Sequence, residues 1–214
     1  MNPDFDAVAF DFGGVLTVSP KGFMSEKAAE LGLEPDEFMS LILGPLDEDT
    51  DHPYHRLERG EISVDELNEM IAQLAPSDAG GPPVALPDGD RVLQSLGAVD
   101  EMVQLANDLR SHGYRTAILT NNVREWHGWS DIVDAHNLVD EVIQSWEVGL
   151  RKPDPAVYQL TLDRLNVSEP ARCLFLDDFE WNIRGAEAVG LTTIHVTDHA
   201  VAVSAVRSLL LHPG

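Results

Sequence analysis

The stretch Val8-Ala9-Phe10-Asp11-Phe12-Gly13-Gly14-Val15-Leu16-Thr17 decides how the rest of the chain is read. A short apolar run breaks off in an aspartate, two glycines follow, and the apolar character resumes. A run of that kind bounded by glycine reads as a strand buried on both faces, as in a parallel sheet. Asp11 then falls where the strand emerges at its carboxyl end, the edge at which open α/β sheets bind ligands. The two glycines let the backbone turn sharply and approach a small anion or metal. Taken alone, the decapeptide equally allows Asp11 to cap a turn. Three later stretches weigh against that reading.

From Val99 onward the pattern alternates between helix and strand. A helix through Val103, Leu105, Ala106 and Leu109 stops at Gly113, and the strand Thr116-Ala117-Ile118-Leu119 ends in Thr120-Asn121-Asn122. A helix through Ile132 and Val133 leads to the strand Glu141–Gln144, followed by a loop over Glu147–Pro155 that carries Lys152. Val157–Leu165 reads as helix. The strand Cys173–Leu176 ends in Asp177-Asp178, a helix spans Trp181–Val189, and Thr193–Val196 is a last strand before a helix from Ala200 to Leu211. This alternation specifies a doubly wound, Rossmann-like α/β core with helices on both faces of a parallel sheet. Residues 1–17 and 93–214 supply that core.

Between them, residues 18–92 read as an α-helical cap with its connecting linker. Phe23, Ala28, Leu31, Leu33, Phe38, Leu41 and Ile42 recur at helical spacing, with Pro35 starting a new helix. Ser63-Val64-Asp65-Glu66 is a capping box opening the helix of Leu67, Met70, Ile71 and Leu74. Pro76–Asp90, rich in Pro, Gly and Asp, reads as the linker.

Bulk properties exclude several classes. The 214 residues are 43% hydrophobic and 24% charged, an ordinary globular composition. Acidic residues number 37 against 14 basic ones, and the net charge of -23 disfavours nucleic acid or an anionic membrane as partner. An anion-binding site here needs a local cation. The single cysteine, Cys173, excludes an internal disulfide, fits a reducing compartment and reads as a buried thiol. With no membrane-length apolar run and no signal-peptide pattern, the expected location is cytoplasmic.

Three buried runs thus end in polar residues, Asp11, Thr120 and Asp177 with Asp178, and Lys152 lies in the loop after a fourth. Each has a plain structural reading: Thr120, Asn121 and Asp177 as helix caps, Lys152 as a solvated surface residue. A parallel sheet points all four ends the same way, so they can converge. Together they offer hard oxygen ligands of the kind Mg²⁺ prefers, a hydroxyl and amide for an anion, and a point positive charge. A carboxylate can also act as nucleophile and become an aspartyl-phosphate.

These stretches resemble the motifs of the haloacid dehalogenase (HAD) superfamily of hydrolases, most of whose members are Mg²⁺-dependent phosphatases. Phe10–Leu16 resembles the first motif, Ile118–Asn122 the second, Gly149–Pro155 the third, and Phe175–Ile183 followed by Gly185-Ala186 the fourth. Arg59-Gly60-Glu61-Ile62-Ser63 is similar to a turn common in caps inserted after the first motif. The resemblance implies a Mg²⁺-dependent phosphatase of a small phosphorylated metabolite, monomeric or homodimeric. It implies Asp11 as nucleophile and metal ligand, with Gly13 (through its carbonyl) and Asp178 completing the metal set. Thr120, Asn121 and Lys152 would hold the phosphoryl group. Asp177 would orient Lys152 or a metal-bound water, with Asn182 behind it.

One departure matters. Family phosphatases usually carry a second aspartate two residues after the nucleophile, where this chain has Gly13. That group normally protonates the leaving oxygen and activates water. Its absence suits leaving groups that need little protonation, such as a sugar 1-phosphate or acyl phosphate. His52, Tyr54 and His55 are candidate substitutes. It also motivates the alternative of a degenerate binding protein without turnover. A 2-haloacid dehalogenase is a further alternative, disfavoured by the Asp177-Asp178 pair, and a receiver domain is too short and lacks the insertion. Trp126, His127 and Trp129 read as helix packing, or as the rim of a pocket or a dimer contact.

Overall fold

A computed structural model describes residue 2 and residues 4–30, 32–74 and 85–211. Five parallel strands run in the order β3-β2-β1-β4-β5. They are β1 (Ala7–Phe10), β2 (Arg115–Thr120), β3 (Glu141–Gln144), β4 (Cys173–Asp177) and β5 (Thr192–His195). β1 lies at the centre, with Phe10 level with Ile118 of β2 and Leu176 of β4. The chain moves outward through β2 and β3, then returns across β1 to β4 and β5. The strand order therefore reverses beside β1, and Asp11 and Asp177 stand at that reversal.

Along each strand successive side chains point to opposite faces. Val8, Phe10, Ile118, Leu174 and Leu176 share one cluster with Met102, Leu105, Leu109 and Val206. Those residues come from α6 (Asp100–Ser111) and α11 (His199–Val206). Ala7, Ala9, Ala117, Leu119 and Phe175 pack on the other face against Val157, Tyr158, Leu162 and Ile183. These belong to α9 (Pro155–Leu165) and α10 (Glu180–Val189). The small alanines on that face leave room for Tyr158, whose ring meets Phe175 edge-on at 5.6 Å.

Between β1 and β2 the chain forms α1 (Lys21–Glu30), α2 (Pro35–Leu43), α3 (Pro53–Glu58), α4 (Val64–Leu74) and α5 (Gly89–Ser95). Met24, Phe38, Ile42, Leu57, Leu67 and Ile71 form a third cluster, which Leu86 and Val123 join. Pro35 does begin α2. The capping box closes as expected, with Ser63 N donating to Glu66 Oε2 at 2.8 Å and Glu66 N to Ser63 Oγ at 3.3 Å.

Several expectations shift. The helix expected through Ile132 and Val133 is a 3₁₀ turn, Trp129–Ile132, followed by the short α7 (Ala135–Leu138). Asp134 sits in the left-handed region at φ 51°, which interrupts regular helix there. The loop after β3 opens with a helical turn, α8 (Ser145–Val148), ended by Gly149 at φ 69°. The C-terminal helix passes from α11 into a π-helical turn over Arg207–Leu211. Of the expected linker, residues 75–84 lie outside the described residues, 85–88 are irregular, and α5 starts already at Gly89 with Asp88 as its N-cap. Leu31 also lies outside the described residues. Among the described residues no helix is long and apolar enough to cross a membrane.

Phe175 is fully buried where α9 and α10 meet the sheet. Phe175→Ala is expected to lower unfolding free energy by about 3–5 kcal/mol in urea denaturation. Val201→Ala, at a position 68% exposed, is expected to change it by less than about 0.5 kcal/mol. A Phe175 effect under about 1 kcal/mol would contradict this packing.

Candidate active site

Asp11 is the first residue beyond β1, and its backbone N–H still donates to Leu176 O at 2.8 Å, continuing the ladder to β4. Its Oδ1 accepts the Phe12 N–H at 2.7 Å and the Lys152 ammonium at 2.8 Å. Oδ2 accepts no hydrogen bond among the described residues. The carboxylate is thus fixed through one oxygen, with the other left for chemistry. Gly14 follows at φ 83°, and a Cβ there would lie 2.5 Å from Asp178 Cγ. Only glycine lets the turn after Asp11 pass this close to the end of β4. Gly13 is different: its φ is ordinary, and a Cβ would meet only Pro20 Cδ at 3.8 Å.

Lys152 does not wave in solvent. It is 1% exposed, and its Nζ bridges Asp11 Oδ1 at 2.8 Å and Asp177 Oδ2 at 2.7 Å. Its backbone is held as well. Lys152 N donates to Asn121 Oδ1 at 2.8 Å, and Asn121 Nδ2 donates to Lys152 O at 3.0 Å. Asn121 therefore clamps the lysine loop to the end of β2 rather than capping a helix. The same loop is pressed against α10, where Gly185 leaves no room for a Cβ, which would lie 2.8 Å from Pro153 O. Asp154 caps α9, its Oδ1 accepting Ala156 N at 2.7 Å.

Asp177 is saturated. Besides Lys152 it accepts Phe179 N at 2.8 Å and both contacts of Asn182 Nδ2, at 3.0 and 3.1 Å. Asp178 is not: its Oδ2 accepts the ammonium of Lys21 at 2.9 Å, and its Oδ1 is buried without a hydrogen-bond partner among the described residues. Ligand oxygens of Asp11, Asp177 and Asp178 lie within 4.8 Å of one another. Three carboxylates against the two ammonium groups of Lys152 and Lys21 leave an excess of negative charge. That excess, the orphaned Asp178 oxygen and the hard oxygen donor set fit a divalent cation such as Mg²⁺. Thr120, 5% exposed at the end of β2, lines the same cavity as Asp11 and Lys152.

The electrostatics follow from burial. Burial raises the Asp11 carboxyl above its ordinary value, and the Lys152 ammonium opposes this. Burial also works against the Lys152 charge, but Asp11 and Asp177 outweigh it and hold the ammonium charged. Asp178 is raised by burial, with Lys21 opposing.

Sequence reasoning passed over Lys21, Glu58 and Arg151. Arg151, 3% exposed beside Lys152, donates from Nε to Glu58 Oε2 at 2.7 Å and from Nη1 to Glu48 O at 3.3 Å. This buried pair ties α3 to the lysine loop, 93 residues away in sequence. Gly60, at φ 70° in the turn after α3, approaches Trp146 O, and Arg124 Nη2 donates to Gly60 O at 3.0 Å. Of the three suggested proton carriers, only Tyr54 lines the cavity. His52 caps α3 by accepting Tyr54 N at 3.2 Å. His55 is buried, its Nδ1 accepting Thr50 N at 2.9 Å. Trp126 and Trp129 line the cavity, with Trp129 edge-on to Phe12 at 4.8 Å.

Burial, with Arg151 nearby, pushes His55 down to about 4 from 6.5. The native imidazole stays neutral where the unfolded chain takes up a proton, so acidification through this window favours unfolding. The urea midpoint is expected to fall between neutral pH and about pH 5. That fall should shrink, by the equivalent of about 1 kcal/mol or more, in His55→Asn. Identical pH slopes in the two proteins would refute the neutral buried histidine.

Comparison with known proteins agrees with this geometry. Residues 5–190 match the model of the haloacid dehalogenase-like hydrolase family. The chain is 30% identical over 98% of its length to mouse acyl-CoA dehydrogenase family member 10, spanning 19% of that protein. It spans 19% to 37% of the length of the longer curated relatives it matches. It is 26% identical to the sesquiterpene phosphatase AstK of Aspergillus oryzae, covering 96% of this chain and 97% of that one. A (S)-2-haloacid dehalogenase of a Pseudomonas species is 34% identical over 47% of this chain and 44% of its own. Among solved structures, a HAD family enzyme of Bacteroides thetaiotaomicron in complex with magnesium and inorganic phosphate superposes with a TM-score of 0.63. It shares 18% identity and covers 92% of this chain and 98% of its own. The chain belongs to the haloacid dehalogenase-like hydrolases.

Proposed function

We propose that the protein is a Mg²⁺-dependent phosphatase of a small phosphorylated metabolite, working through an aspartyl-phosphate on Asp11. The observation that carries this reading is the buried Lys152 ammonium at 2.8 Å from Asp11 and 2.7 Å from Asp177, beside an Asp178 oxygen without a partner. An anionic nucleophile must approach an anionic phosphoryl group, and fixed positive charge at that point offsets the repulsion.

Asp11 Oδ2, the oxygen left free by the local contacts, attacks phosphorus. The bond from phosphorus to the ester oxygen breaks, and that oxygen departs with its electron pair and takes a proton from solvent. Lys152 and the Thr120 hydroxyl hold the phosphoryl oxygens, aided by the amide of Asn121. Water then attacks phosphorus, the bond from phosphorus to Asp11 Oδ2 breaks with its electron pair returning to the carboxylate, and phosphate leaves as the water's proton passes to solvent. Asp11, Asp178 and the Gly13 carbonyl would hold a Mg²⁺, which would supply Lewis-acid neutralisation of charge. Asp177, fixed by Asn182 and the Phe179 N–H, holds Lys152 in position. Residues 18–92 act as a cap over this centre, joined to the core loop by the Glu58–Arg151 pair.

Of two other readings, a particular observation counts against one and favours the other. Dehalogenation at carbon needs a carboxylate nucleophile but no divalent cation, and leaves the unpartnered Asp178 oxygen without a use. A degenerate binding protein is favoured by Gly13, which gives the site no acid beside the leaving oxygen.

Phosphate release from acetyl phosphate and p-nitrophenyl phosphate is expected to need Mg²⁺ and to stop on chelation. Asp11→Asn should lower kcat about a thousandfold or more with the fold intact by circular dichroism. Activity retained in Asp11→Asn or in chelator contradicts the proposal, and an inert wild type that still binds Mg²⁺ favours the degenerate reading.

The open space at Gly13 generates a gain-of-function test. Gly13→Asp is expected to raise kcat on alkyl phosphates, whose leaving oxygen needs a proton, by about a hundredfold. Acetyl phosphate, with its good leaving group, should gain much less. Gly14→Ala should lose activity on both, because its Cβ would displace Asp178. Equal effects of Gly13→Asp on the two substrates would contradict the missing-acid account.

A further inference from the structure

The polar end of the cavity holds Asp11, Thr120 and Lys152, and its remaining wall has a different chemistry. Met39 and Leu43 of α2, Leu86, Leu93 of α5, Trp126 and Trp129 line the body of the cavity, which encloses about 170 Å³. Most polar side chains of that wall are already engaged, the buried Asn182 Oδ1 being an acceptor without a partner among the described residues. Glu58 and Arg151 are paired at 2.7 Å, and Lys21 is paired with Asp178 at 2.9 Å. The Asn122 amide donates to Gln144 Oε1 at 3.2 Å and its Oδ1 accepts Val123 N at 2.8 Å. A sugar ring or polyol seated here would bury hydroxyls against carbon, or would have to break these pairs. Either leaves polar groups unsatisfied, and sites without matching partners reject hydroxylated ligands poorly paired in this way.

We infer that the cavity takes the apolar body of the substrate, so that the phosphorylated metabolite is a phosphoester of an aryl or enolic hydrocarbon hydroxyl rather than of a sugar. This rests on the phosphatase reading and narrows it to a substrate class. Size agrees with the assignment, since an apolar cavity of about 150 Å³ accepts benzene in another protein. The position also agrees. Trp129 packs on Phe12, the residue after the nucleophile, so the apolar wall begins where the phosphoryl site ends. Continuity between the two forces a bound molecule to place its charged end at Lys152 and its carbon body against α2 and α5. The preference for an apolar leaving group and the missing acid at Gly13 fit together for aryl or enol esters, whose leaving oxygen is stabilised as a phenolate or enolate by the adjacent unsaturation.

The test uses alkylphosphonates, whose carbon–phosphorus bond is not hydrolysed, titrated calorimetrically into the whole chain with Mg²⁺ present. From methyl- through butyl- to hexylphosphonate, affinity is expected to rise about three- to fourfold per buried methylene. 2,3-Dihydroxypropylphosphonate should bind at least about tenfold more weakly than its unhydroxylated propyl counterpart. Leu93→Asp should flatten the dependence on chain length, and Leu93→Met, which keeps an apolar wall, should preserve it. Methylphosphonate that binds with no gain along the series overturns the inference and leaves the phosphatase reading standing, as does tighter binding of the dihydroxy compound. Failure of every phosphonate and of inorganic phosphate to bind overturns both.

Discussion

The ammonium of Lys152, shut away from water between Asp11 and Asp177, is the interaction on which the rest of the structure depends. Burying one such ion costs several kcal/mol, and an unpaired buried charge is worse still. The cost is met only if both carboxylates stand within hydrogen-bonding distance and their other oxygens are satisfied or given a role. That demand reaches back through the sheet. β1 and β4 must be adjacent and in register for Asp11 and Asp177 to flank one nitrogen. The lysine loop must be clamped by Asn121 and pressed against Gly185 of α10. The hydrophobic faces of the sheet supply the rigidity, and the strand ends supply the direction.

The same logic bears on how a chain with a net charge of -23 would hold the anion proposed for it. At long range the protein repels a phosphate. At the strand ends the balance is local: Lys152 and Lys21 stand against three carboxylates, and the oxygen atoms left over are those a divalent cation accepts. Arg151 adds positive charge next to Lys152, but Glu58 neutralises it across the boundary between helices and sheet. This pair is better understood as a joint than as a phosphate clamp. Removing either partner would strand a buried charge, so the relative placement of α3 and the lysine loop is strongly specified.

How far this could be read in advance differs between residues. Asp11, Thr120, Asp177 and Asp178 were legible because each ends an apolar run, and parallel strands carry such ends to one edge. The bridging geometry of Lys152 was legible only through the family motif; a lysine in a loop carries no periodic signal. Asn121 reads in the sequence as a helix cap or as a backbone-amide donor, and nothing there reveals that its side chain holds the Lys152 backbone, a pairing across 31 residues. Glu58, Arg151 and Lys21 carried no signal at all, since their contacts span 93 and 157 residues and depend on how helices pack. The short turn at Trp129–Ile132 was overestimated as a helix, because Ile132 and Val133 give an apolar pattern without revealing the left-handed Asp134 that breaks it.

The central claim is geometric: one phosphoryl group, one divalent cation, and Asp11, Thr120, Lys152 and Asp178 around them. A crystal structure of the wild-type chain with Mg²⁺ and beryllium trifluoride, a mimic of the phosphoryl group, tests it most directly. The account predicts beryllium bonded to Asp11 Oδ2, fluorines against Lys152 and Thr120, and the metal on Asp11 and Asp178. Beryllium trifluoride bound elsewhere, or a metal that ignores Asp178, would contradict it.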